Sequence, residues 1–264
     1  MEEFMPRIYF NKQTMEFHLQ NERISYIITV LENGQLGHLY FGKRLTNRDS
    51  FQHFLQMRTQ SHTAYVYEND FLFTLDTIRQ EYPSYGTTDF REPAYQIKQE
   101  NGSRITNFVY KTHRIMAGKP KLKGLPATYI ESENEAVTLE VTLEDSLISM
   151  EMVLTYTIYE DYDAICRNVK FINHGNQTVR LTRAMSLSLD LYDSDYKLIH
   201  LDGAWSRERH IVSRQLTTGI QSVSSARGAS SADHNPFIAL KRSNTTEFNG
   251  EVYGFCLIYS GNFL

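Results

Sequence analysis

Cysteine is almost missing from this chain. Cys166 and Cys256 are the only two in 264 residues, and two lone, distant thiols do not make a disulfide framework. Cys166 lies in the strand-like run Ile165-Cys166-Arg167-Asn168-Val169 and reads as a small buried thiol. Basic charge is not in excess either. With 27 Lys and Arg against 31 Asp and Glu, the formal net charge is −4, which gives general nucleic-acid or anionic-membrane binding no electrostatic support. The one dense basic spot, Lys119 to Lys123, is interrupted by Pro120 and reads as solvated loop. No apolar run approaches the ~20 residues of a membrane helix. The start, Met1-Glu2-Glu3-Phe4, lacks the basic and apolar regions of a signal peptide. The expectation is a soluble, cytoplasmic protein without a membrane partner. The nine histidines show no His-Glu-x-x-His or other metal spacing. Neither Asp161/Asp163 nor Asp193/Asp195 forms a calcium loop, so no metal or cofactor is expected. No repeat, low-complexity tract or Pro/Ser-rich linker divides the chain, which reads as one domain over residues 1–264. Helical signals are sparse: the best candidate, Asp49 to Met57, is short.

What the chain does contain is aromatic residues and two-residue periodicity. Aromatics make up 12%, with 17 Tyr and 15 Phe, and such rings suit a half-buried pleated surface. Val137, Leu139, Val141 and Leu143 alternate with Thr138, Glu140, Thr142 and Glu144, the signature of a strand with one wet face. Met150, Met152, Leu154, Tyr156 and Ile158 share a face in the next run, with a turn at Asp145-Ser146. Val169 to Ile172 reads as strand, followed by turn residues Asn173 to Asn176. Thr178 to Leu191 resumes the alternation, with a phase slip near Arg183 that predicts a β-bulge. Upstream, Ile24 to Leu31, Leu36 to Phe41 and Phe71 to Leu75 read as strands. Asn33-Gly34 is a strong hairpin signal between the first two. Asn101-Gly102 predicts a second hairpin joining Tyr95–Gln99 to Ile105–His113. Many strands, frequent turns and little helix indicate an all-β sandwich or barrel.

Four segments carry candidate chemistry. Trp205, the only tryptophan, stands in Leu201-Asp202-Gly203-Ala204-Trp205-Ser206-Arg207-Glu208-Arg209. A lone Trp in a sandwich is commonly core, but glycine and charges flank this one, which points to a loop. An exposed indole offers an apolar face and an N–H donor to a sugar. In Pro83-Ser84-Tyr85-Gly86-Thr87-Thr88-Asp89-Phe90-Arg91-Glu92-Pro93-Ala94, Asp89 and Arg91 have the chemistry to pair or to hold a neighbouring loop through charge-assisted hydrogen bonds. The segment Arg227 to Phe237 contains Ser230, Ser231, Asp233 and His234. Gly228-Ala229-Ser230-Ser231-Ala232 does not match a nucleophile elbow, so it reads as a contact loop. Thr46-Asn47-Arg48-Asp49-Ser50 reads as an exposed polar loop.

Together with the closing run Val252-Tyr253-Gly254-Phe255-Cys256-Leu257-Ile258-Tyr259-Ser260-Gly261-Asn262-Phe263, the first three of these segments resemble the amino-terminal part of the family 36 glycoside hydrolases, the bacterial α-galactosidases. The resemblance runs from about Ile8 to Leu264. It implies a large two-sheet antiparallel supersandwich of the galactose-mutarotase-like kind. The family places a catalytic (β/α)8 barrel after this region, with the carboxyl pair of a retaining glycosidase on barrel strands beyond Leu264. No catalytic residue is therefore expected in this chain, and the sandwich would continue past Tyr253–Tyr259. The resemblance also implies that Trp205 lies near a galactose site and that Asp49, with Arg58 as alternative, reaches a neighbouring subunit's site. It further implies a homo-oligomer, a tetramer by family habit, and α-galactoside oligosaccharides such as melibiose and raffinose as substrates. The chain departs from the family at Ala232, where Ser-Ser-His is usual, so no role of that histidine is carried over to this chain. A free-standing, non-catalytic sugar-binding sandwich and a scaffold domain without sugar contact are the alternatives.

Overall fold

A computed structural model describes residues 6–59 and 65–264; the amino-terminal stretch read for a leader lies outside them. Among the described residues there are fourteen strands and two single-turn 3₁₀ segments. Among the same residues, no helix is long and apolar enough to cross a membrane. The strands of the described residues pair antiparallel, as the alternation predicts. The chain divides into two compact units, one taking residues up to Lys121 with Tyr129–Asp190, the other Leu122–Thr128 with Leu191–Leu264.

In the first unit, β1 (Arg7–Asn11), β2 (Glu16–Gln20), β3 (Ile24–Val30) and β4 (Leu36–Lys43) form a meander. Gly34, in the left-handed region at φ 81°, makes the turn between β3 and β4. After β5 (Tyr95–Lys98), a second meander is made by β6 (Val109–Ala117), β7 (Ala136–Asp145), β8 (Met150–Tyr159) and β9 (Ile165–Asn173). The two meanders share one core, to which Phe17, Leu19 and Ile28 contribute from one sheet and Leu139, Val141, Leu154 and Tyr156 from the other. Each such fully buried side chain contributes about 1.5–3 kcal/mol. The whole predicted face of β8, Met150 through Ile158, is buried.

Several expectations need correction. The Asn101-Gly102 turn forms, but it does not join a hairpin: β5 pairs with β10 (Arg180–Ala184), whereas β6 pairs with β7. The predicted bulge is present between Leu181 and Arg183, but the strand stops at Ala184 instead of running to Leu191. Phe71 to Leu75 is not a strand; Phe73 and Leu75 are buried from a loop, in a small cluster with Leu31 and Ile78. The helix candidate reduces to one 3₁₀ turn, Gln52–Phe54. Cys166 is half-buried on β9, not enclosed.

The second unit is built on β11 (Lys197–Ala204), β12 (Arg207–Gln215), β13 (His234–Lys241) and β14 (Val252–Cys256), in the order β12-β11-β13-β14. Its buried apolar set includes Tyr196, Leu198 and Ala239. Arg242 lies 3.8 Å over the Tyr196 ring and pairs with Asp193 and Glu251.

Candidate functional site

Trp205 and Ser206 form the two-residue turn between β11 and β12. Ser206 adopts φ 64°, and Ala204 pairs with Arg207 across the turn. The indole is 84% exposed, so it is not a core residue. Behind it, Gly203 is enforced by packing: a Cβ there would stand 2.4 Å from the Arg207 carbonyl oxygen and 2.9 Å from Glu208 Cα. The Gly203 N–H donates to Asp233 O at 3.2 Å, which ties the hairpin to the Arg227–Phe237 segment. There, Arg227 pairs with Asp233 at 2.6 Å on the surface, and Ala232 is half-buried.

Asp49 belongs to the first unit, so the two sequence-predicted contact residues lie in different units. Asp49 is exposed, and its carbonyl accepts from the Asn11 amide. It borders a groove of about 420 Å³ between β1, the start of β2 and the 47–51 loop. Glu16 anchors that loop from below, accepting from Ser50 Oγ at 3.1 Å and Phe51 N at 2.9 Å. Arg58 is also exposed, downstream of the 3₁₀ turn.

Asp89 and Arg91 pair at 2.9 Å, as their spacing suggests. Arg91 also reaches Asp190 at 2.6 Å and the Ile78 carbonyl at 2.8 Å. Burial pushes the Asp89 carboxyl up, against the opposing pull of Arg91. This lattice holds Tyr85 and Phe90 outward, 47% and 61% exposed, with their rings edge to face.

Sequence reasoning missed a polar cluster inside the first unit. Glu81 is paired by Arg167 at 2.8 Å and His38 at 3.0 Å, and Tyr26 donates to the same carboxylate. Arg167 also donates to the Ser188 carbonyl at 3.0 Å and covers the Tyr156 ring at 4.7 Å. Burial alone would raise the Glu81 carboxyl; Arg167 and His38 outweigh it and hold it below the usual range. The Tyr26 and Tyr156 phenols are raised by burial and stay neutral. The cluster joins residues 43 and 86 positions apart, so no local motif announces it. Its satisfied, closed geometry makes it a core staple, not a reaction centre. Among the described residues no group of His, Cys, Asp or Glu is placed to hold a metal ion.

The class defined by these features is an all-antiparallel β-sandwich domain with exposed turn tips. The glycosyl hydrolase family 36 N-terminal domain matches residues 34–264, and the chain belongs to that family. It is 49% identical over 255 residues to the α-galactosidase AgaA of Geobacillus stearothermophilus, covering 97% of this chain and 35% of AgaA. The crystal structure of AgaB from the same organism superposes with a TM-score of 0.90 at 49% identity, over 97% of this chain and 35% of that one. The Lactobacillus brevis α-galactosidase gives 0.93 at 39% identity, over 96% and 34%. A variant of AgaA has been solved with raffinose and another with stachyose. The chain spans about a third of the length of these relatives.

Proposed function

We propose that this chain is the amino-terminal sandwich, residues 1–264, of a retaining α-galactosidase that acts on terminal α-galactosyl groups of raffinose- and melibiose-type oligosaccharides. The observation that carries the reading is near-complete coverage of this chain by α-galactosidases at up to 49% identity. The chemistry belongs to the barrel of the complete enzyme, which works as a cytoplasmic homo-oligomer, a tetramer. The sandwich shapes the substrate pocket through Trp205 and Asp49, and its Tyr85–Phe90 loop docks against the barrel.

The exposed, glycine-backed Trp205 supports the first of these roles, because a side chain held in solvent by its own turn has nothing to pack in this unit. Trp205→Ala in the complete enzyme tests it. One aromatic contact contributes roughly 0.5–1.5 kcal/mol, so raffinose kcat/KM is expected to fall about two- to tenfold while the melting temperature stays put. A variant with unchanged kinetics and a melting point several degrees lower would assign Trp205 to packing instead.

A further inference from the structure

Three Asn-Gly pairs occur in the chain, Asn33-Gly34, Asn101-Gly102 and Asn249-Gly250, and the fold treats them differently. Such a pair is chemically labile, because no Cβ on the glycine hinders its nitrogen from reaching the asparagine side chain. At Asn33 and Asn101 the reacting groups are tied down. The Gly34 N–H donates to the Leu31 carbonyl at 2.8 Å, and the Gly102 N–H to the Gln99 carbonyl at 3.0 Å. Both side-chain oxygens are occupied as well. Asn33 Oδ1 accepts from the Gln35 N–H at 3.2 Å, and Asn101 Oδ1 from the Ser103 N–H at 2.9 Å.

Asn249-Gly250 lies in the connection between β13 and β14 and is built the other way. Thr246 holds the backbone there: its N–H donates to the Asn249 carbonyl at 2.7 Å, and its Oγ1 accepts from the Asn249 N–H at 3.2 Å. The two groups that would react stay free. Neither the Asn249 side chain nor the Gly250 N–H has a hydrogen-bond partner among the described residues. Both residues are exposed, so water reaches them. The turn also fixes the labile pair in place. Gly250 sits at φ 126°, and a Cβ on it would stand 2.3 Å from Thr245 Oγ1, so no bulkier residue fits after Asn249.

We propose that Asn249 is a self-modification site, the first of the three Asn-Gly asparagines to convert to aspartate and isoaspartate in the folded protein. The Gly250 nitrogen attacks Asn249 Cγ. The N–Cγ bond forms as the Cγ–Nδ2 bond breaks, and the Gly250 proton leaves with the amide nitrogen as ammonia. Water then opens the succinimide at either carbonyl, so the step needs no oxidant, reductant or enzyme. The new carboxylate stands near Glu251, which holds Arg242 at 3.0 Å. The isoaspartyl product also lengthens the backbone by one methylene between Thr246 and Glu251.

The test is a time course of the dilute 264-residue chain at mildly alkaline pH, read by peptide mapping in a mass spectrometer. All three peptides are followed in the same digest, made under mild acid to halt further conversion. Breaking one hydrogen bond slows ring closure about two- to tenfold. Asn33 and Asn101 each have two to break, so Asn249 should lead them by about fourfold or more. The same incubation in strong denaturant should bring the three rates together, since the reacting pair is identical. Asn249→Gln should abolish the earliest mass gain of the intact chain. Equal rates in the folded protein, or a lead by Asn33 or Asn101, would overturn the inference. So would a lead of Asn249 that persists in denaturant, because the cause would then be local sequence and not the turn.

Discussion

Replacing Arg167 with methionine keeps much of the side chain's volume but takes the guanidinium away from Glu81. The Glu81 side chain is 0% exposed and that of Arg167 7%, so no solvent is at hand to replace the lost charge. Removing one partner of a buried pair costs about 3–5 kcal/mol. At roughly 2–4 °C per kcal/mol for a chain of this size, the melting temperature should drop by about 6–20 °C. The sign of the pH dependence follows from the carboxyl. In the parent protein Glu81 is held below its unfolded value of about 4.3, so its contribution is present above that pH and is lost as pH falls through the lowered folded value. Without Arg167, burial dominates and the folded value rises above the unfolded one. The variant's deficit should then grow with rising pH and shrink towards acid. His38, 3.0 Å from the other carboxylate oxygen, tempers this without replacing a permanent cation. Thermal melts followed by circular dichroism near pH 5 and near pH 8 provide the comparison. A loss of only two or three degrees, or an equal loss at both pH values, would refute the argument that Arg167 neutralises a buried charge.

The 264-residue chain alone should not turn over a chromogenic α-galactoside, since the proposed reading assigns the chemistry to the part of the enzyme outside this sandwich; turnover near that of a complete enzyme would place the chemistry here. The same chain should self-associate as its concentration rises, because β12 and β14 are sheet edges and Ile211 and Val252 on them are 76% and 51% exposed, a combination that invites edge pairing. Light scattering that reports a monomer at all concentrations would show that both edges are already blunted.

How far the fold could be read from sequence depended on whether the deciding contact was local. The faces of β7 and β8 follow from strict alternation, because each strand has one wet side. The bulge in β10 showed as a phase slip for the same reason. The Asn101-Gly102 error has the opposite origin: the turn chemistry is local and correct, but the partners of β5 and β6 are chosen by distant strands. Phe71 to Leu75 has strand-like composition, yet its apolar side chains fill a loop cluster. At the candidate site, the loop setting of Trp205 was legible from its glycine and charged flanks. The Glu81–Arg167 staple was not, since it joins residues from separate segments. The carbohydrate reading itself came from resemblance; composition and periodicity alone stop at an all-β domain.

Trp205 is the chain's only indole, and its turn holds it 84% in water. The intrinsic tryptophan emission of this protein therefore begins in the environment that unfolding would give it. Denaturation should change its colour little, so a fluorescence melt would miss the collapse of a core that circular dichroism sees. Any surface that closes over the hairpin, whether a sugar ring or protein, would shift the emission to the blue and shield it from dissolved quenchers. The single fluorophore thus reports cover, not folding.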